Sequence, residues 1–172
     1  MDFLELAKDR YSVRKFSDQK IEQEKLDKIL EAGNVAPTAV NYQPQRIYAI
    51  QSAEALEKVN TLCPCIYGAQ TVLLIAYDDN ADWNNPKQEG IHSGEQDVSI
   101  VATHMMLEAW NIGIASCWVN LFPNDELAEA FHLPKNEKAV LLMPLGYAAE
   151  DAEPIEKWHN GYKQISETVT YL

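Results

Sequence analysis

QDVSIVATHMMLEAWNIGIASCWV, residues 96–119, holds a helix, a turn and a strand in succession. Val98, Val101, Ala102, Met105 and Ala109 recur at helical spacing between Gln96 and Asn111. Ile100, Met106 and Leu107 widen the stripe. A helix apolar on so many sides belongs at the centre of a molecule. Gly113 ends it, and the apolar run Ala115 to Val119 reads as a strand.

Outward from this core the chain alternates helices and strands. Thr71 to Tyr77 is apolar and β-branched, which predicts a central strand. The polar stretch Asp78 to Gly94 that follows reads as an excursion over a site, a candidate lid. Ile47 to Ile50 and Lys138 to Leu145 are further strands, and Ala53 to Leu62 is a helix. Asn124 is placed to N-cap a short helix, with Asp125 and Glu126 where the dipole favours acids. Near the start, Phe3, Leu4, Ala7 and Tyr11 predict a short amphipathic helix. A second helix runs from Gln23 to Ala32, buries Leu26, Ile29 and Leu30, and ends at Gly33 as C-cap. The loop from Asn34 to Pro44 is long for a compact domain, and such loops are often functional. Thr168 to Leu172 has strand character without a local partner, so it is expected to add to another subunit's sheet.

With 172 residues and no repeat or linker, residues 1–172 are read as one domain. The net charge of -12 argues against nucleic acid, whose binding requires neutralising phosphates. Three cysteines are an odd number, which argues against a disulfide framework. The charged first ten residues do not read as a signal peptide, and no apolar run is long enough for a bilayer. A cytoplasmic protein without membrane attachment is expected.

Against this acidic background, residues 10–15, RYSVRK, concentrate positive charge. Arg10, Ser12 and Arg14 alternate, so an extended chain turns them one way. Guanidinium groups and a hydroxyl suit phosphate oxygens. Taken alone, the segment reads more readily as a solvated basic patch than as a phosphate site.

Three segments together resemble the nitroreductase family: Arg10-Tyr11-Ser12-Val13-Arg14-Lys15-Phe16, Ala36-Pro37-Thr38-Ala39-Val40-Asn41-Tyr42-Gln43-Pro44, and Asn111-Ile112-Gly113-Ile114-Ala115-Ser116-Cys117-Trp118-Val119. Leu145-Gly146-Tyr147 resembles a late family motif. The resemblance implies an α+β fold with a mixed, largely antiparallel central sheet flanked by helices. It implies bound FMN at the interface of a homodimer, with NADH or NADPH as electron donor. Electrons would pass to a nitroaromatic, quinone or related small-molecule acceptor by a ping-pong mechanism. Arg10, Tyr11 and Ser12 would lie at the phosphate, and Arg14 at the N1/O2 side of the ring. Pro37, Thr38, Asn41 and Gln43 would reach FMN held mainly by the other subunit. Backbone around Cys117, Trp118 and Val119 would approach the ring, and Lys163 would clamp the phosphate. Tyr42 and the Trp83 region are candidates for lining the pocket. Ala39 and Gln45 depart from the family's usual serine and tryptophan.

No side chain is assigned as an acid, base or metal ligand, because the flavin carries the chemistry. Cys63-Pro64-Cys65 lacks the further ligands of a zinc site. His104 reads as a hydrogen-bonded core residue, and Glu95 and Asp97 as acids serving the helix dipole. Alternatives on the same fold are a reductive dehalogenase, a flavin-fragmenting enzyme and a non-catalytic flavin-binding protein.

Overall fold

The computed structural model describes residues 2–172. Its centre is an antiparallel sheet of four strands: β1 (Gln45–Ile50), β2 (Thr71–Asp78), β3 (Ala115–Ser116) and β4 (Glu137–Gly146), in the order β1-β2-β4-β3. β2 pairs with β1 through Ile47↔Ile75 and with β4 through Leu73↔Met143. The parallel component of the expected mixed sheet is limited, among the described residues, to the bridge Ser12↔Ser116.

Both faces of the sheet are covered, which is why β2 reads as a continuous apolar run. Leu73, Ile75 and Tyr77 face one core, shared with α2 (Gln23–Asn34) and α4 (Gly94–Asn111). Val72 and Leu74 face the other, with Val59 of α3 (Ala53–Leu62) and Leu127 of α5 (Asn124–Ala130). Strand side chains alternate between faces, so one strand feeds two cores. Each fully buried leucine, isoleucine or valine contributes about 1.5–3 kcal/mol.

Several local expectations change. α2 continues past Ala32 to Asn34, and Gly33 is buried inside it instead of capping it. A Cβ at Gly33 would lie 2.8 Å from Met105 Cγ, so the glycine lets α2 approach α4. The strand expected from Ala115 to Val119 keeps regular pairing only at Ala115–Ser116, and Val119 rejoins β4 by a bridge to Leu142. Asn124 starts α5 instead of capping it, and its Nδ2 donates to Ala139 O at 2.8 Å. His104 is exposed on α4 and bonds to Ile100 O, so it is not a core residue. The first helix, α1 (Phe3–Asp9), stops before Tyr11 and leaves Phe3 and Leu4 exposed. The tail forms α6 (Glu156–His159) and α7 (Ile165–Thr168); residues 169–172 join no sheet among the described residues.

Candidate functional site

After α1 the chain turns extended and is pinned along β3. Val13 N–H donates to Ser116 O at 3.0 Å, and Ser17 N–H to Tyr147 O at 2.9 Å. Val13 and Phe16 are buried in the second core. With them facing inward, Arg10, Ser12 and Arg14 turn to a cavity of about 130 Å³ lined also by Tyr11, Trp158, His159 and Tyr162. The alternation read from sequence thus brings the three donors together.

Each member is held by a neighbour. Arg14 Nη1 donates to Ser12 O at 3.0 Å, and its guanidinium lies 5.0 Å from the Trp158 ring centroid. Tyr11 sits edge-on to Trp110 at 5.3 Å and donates its hydroxyl proton to Ala152 O. Burial raises the Tyr11 hydroxyl above its ordinary pKa, with Glu153 adding to the effect. Among the described residues no carboxylate forms an ion pair with Arg10 or Arg14. Two unpaired guanidinium groups in an acidic chain suit an anionic ligand.

The segment 115–119 is joined to this stretch by the bridge Ser12↔Ser116, but Cys117, Trp118 and Val119 do not line the cavity. Cys117 N–H and Val119 N–H donate to Pro144 O and Leu142 O of β4. The intervening Trp118 N–H donates to no group among the described residues. That amide, and not those of Cys117 or Val119, is the backbone donor left for a ligand. Cys117 is buried, and burial pushes its thiol pKa up, against the lowering effects of Arg14 and Ser12. It is a core thiol. Ser116 Oγ is buried with no hydrogen-bond partner among the described residues.

The loop 35–44 lies elsewhere. It contains a 3-10 turn at Ala39–Asn41, and Val40, Asn41 and Gln43 all adopt positive φ, at 52°, 58° and 51°. A β-branched residue in that region is strained. Gln43 N–H donates to Thr38 Oγ1 at 3.0 Å, and Ala39 N–H to Asp97 Oδ1 at 2.8 Å. Pro37, Thr38, Asn41 and Gln43 therefore gather near the start of α4, and none lines the cavity of Arg10 and Arg14. Lys163 is exposed and does not line it either; Ile155, Trp158, His159 and Tyr162 are the tail's contribution. The sequence signal for them was an aromatic pair, Trp158 and Tyr162, in an otherwise polar tail.

Asp97 lies in the first turn of α4, as expected, and has a further use. It is buried, holds the loop through Ala39, and accepts the Ser93 hydroxyl at 2.7 Å. Ser93, the residue that precedes α4, lies four before Asp97, a spacing that brings the two side chains together. The excursion between β2 and α4 is pinned at its base. Asp82 accepts from His92 Nδ1 at 2.7 Å and from Gly94 N–H at 3.2 Å.

Comparisons with known proteins agree on one grouping. The profile described as Nitroreductase family matches residues 7–64 and 57–147. A relative in Methanothermobacter thermautotrophicus, provisionally assigned as an NADH dehydrogenase/NAD(P)H nitroreductase, is 30% identical over 177 residues, spanning 92% of this chain and 88% of that protein. The crystal structure of a nitroreductase family protein from Clostridium difficile 630 is 39% identical, with TM-score 0.92 over 99% of this chain and 98% of that one. A nitroreductase with bound FMN from Bacteroides fragilis is 26% identical, with TM-score 0.79 over 100% of both chains.

Proposed function

The chain belongs to the nitroreductase family, and from that premise we propose that it is an NAD(P)H-dependent FMN oxidoreductase acting as a homodimer. The carrying observation is the separation of two half-sites along α4. Tyr11 packs on Trp110 near one end of that helix, whereas Ala39 is tied to Asp97 near the other. The helix between them rises about 20 Å at 1.5 Å per residue. One chain does not close both around a single flavin, and a second copy supplies the missing half.

The donor set fits the group. Arg10 and Ser12 bind the phosphate, where a guanidinium fork and a hydroxyl match its oxygens. Arg14, oriented by Ser12 O and the Trp158 ring, sets a fixed positive charge beside the ring system. Trp118 N–H is the free backbone donor for the ring's polar edge. The partner subunit's 37–43 loop closes the other side, through Pro37, Thr38, Asn41 and Gln43.

When bound, FMN would supply the redox chemistry, two-electron transfer from NADH or NADPH to a nitroaromatic, quinone or related electrophile in a ping-pong cycle. The protein's part is binding, orientation and electrostatics. Solvent delivers protons to an open site, so no side chain is assigned as acid or base.

The test is the absorption spectrum of the purified protein, with the released pigment identified. A yellow protein releasing FMN, bleached anaerobically by NADH or NADPH and recoloured by a nitroaromatic or quinone, is expected. A colourless protein that takes up no added FMN overturns the reading.

A further inference from the structure

The buried pair Ser93 and Asp97 does not line the cavity of Arg10 and Arg14. Serine before a helix ordinarily caps it, yet Ser93 makes no side-chain cap to α4. Its hydroxyl donates to Asp97 Oδ2 at 2.7 Å and accepts Trp83 N–H at 3.0 Å. Ser93 N–H in turn donates to Trp83 O at 2.9 Å. The other carboxylate oxygen of Asp97 takes Ala39 N–H at 2.8 Å. Ser93 and Asp97 are 4% and 3% exposed, so water does not replace these bonds. A buried carboxylate is retained only where hydrogen bonds compensate it. Here those bonds reach two separate segments, the excursion carrying Trp83 and the loop carrying Ala39.

The loop needs such an anchor. Val40, Asn41 and Gln43 hold positive φ without being glycine, a conformation that persists only when surroundings enforce it. The turn's own bonds, Asn41 N–H to Thr38 O and Tyr42 N–H to Ala39 O, are local. The bond from Ala39 to Asp97 ties the turn to α4.

We infer that Asp97 is a positioning residue: one buried carboxylate holds the 37–43 loop directly and the 79–93 excursion through Ser93, presetting the flavin-facing wall. Asp97 touches neither flavin nor acceptor. The inference rests on the reading of the loop as a flavin wall. It also predicts a division of labour. The Asp97–Ala39 bond governs cofactor affinity, and the Ser93–Trp83 bonds govern how the excursion meets the acceptor.

Three variants of the full chain test it: Asp97→Ala, Asp97→Asn and Ser93→Ala. Amide exchange is followed with and without added FMN, alongside FMN affinity and acceptor KM and kcat. Asp97→Ala should speed exchange at Ala39 and weaken FMN about tenfold or more, the scale of losing a charge-assisted hydrogen bond. Ser93→Ala should speed exchange around Trp83 and raise acceptor KM while leaving FMN affinity near its original value. Asp97→Asn keeps an acceptor for Ala39, and its Nδ2 can donate to Ser93 Oγ, which still accepts Trp83 N–H, so it should recover FMN binding and stay close to the original acceptor KM. Uniformly faster exchange across the chain, or unchanged exchange at Ala39 in Asp97→Ala, overturns the inference. Faster exchange confined to the loop with unchanged FMN affinity instead refutes the loop as a flavin wall.

Discussion

Two arginines that pair with no carboxylate among the described residues, in a chain of net charge -12, set the local field of the cavity. Arg14 is the more constrained of the two, held by Ser12 O and by Trp158. Replacing Arg14 by alanine should weaken FMN about tenfold to a hundredfold, since a charge-assisted hydrogen bond contributes about 1.5–3 kcal/mol. It should also move the flavin potential to more negative values, because a fixed cation favours the electron-rich ring. Arg14→Lys should recover the potential better than the affinity, since charge survives and the planar fork does not. Fluorescence titration and redox potentiometry separate the two effects; an unchanged potential removes the electronic role. Arg10, Ser12 and Arg14 were legible in the sequence because alternation is a local property of an extended chain. Asp97's tie to Ala39, the place of His159 and which of the 117–119 amides stays unbonded were not. Their roles depend on Ala39, on Tyr11 and on the pairing of Cys117 and Val119 with β4, all set by the tertiary fold.

At the scale of elements, the reading from sequence succeeded where one period dominated. β2, β4, α3 and the core of α4 follow their apolar patterns closely. It failed where a glycine or an acid had two uses. Gly33 carries a C-cap signature, but its distance from Met105 makes it a helix-crossing residue. Gly94 is a sharper case. A Cβ there would lie 2.3 Å from the Tyr77 ring, where α4 leaves the excursion. Gly94→Ala should therefore destabilise the protein by about 1–3 kcal/mol through overpacking. Urea denaturation should show a lower midpoint with an unchanged slope. A polar cluster that spans β1, β2 and β4 makes a second prediction. Tyr48 donates to Glu137, and Arg46 pairs with Asp78 at 2.7 Å. Burial first, and the bond to Glu137 second, push the Tyr48 hydroxyl up to about 12 from 10.0. Its neutral form is favoured by folding, so this stabilisation is complete below the unfolded value. It is lost as pH rises from 10.0 toward about 12. Tyr48→Phe should flatten that part of the stability decline in denaturation series across the same window. A parallel decline in both proteins would remove Tyr48 from the account.

For the whole molecule, the order of motifs was legible but their meeting was not. The Arg10 cluster and the 37–43 loop belong to one ligand by resemblance, yet α4 separates them within a chain. Sequence order carries no record of which copy supplies which wall. Phe3, Leu4, Val40, Ile165, Tyr171 and Leu172 are exposed apolar side chains, of the kind that association of two copies covers. The most direct measurement mixes two defective chains. One carries Arg10→Ala and Arg14→Ala, the other Thr38→Ala and Asn41→Ala, and each homodimer should bind FMN poorly. If every flavin lies between the arginines of one chain and the loop of the other, the heterodimer contains one intact site and one doubly damaged site. The purified heterodimer should then bind one FMN at original affinity. No recovery of tight binding, the result for sites built within single chains, would contradict the account.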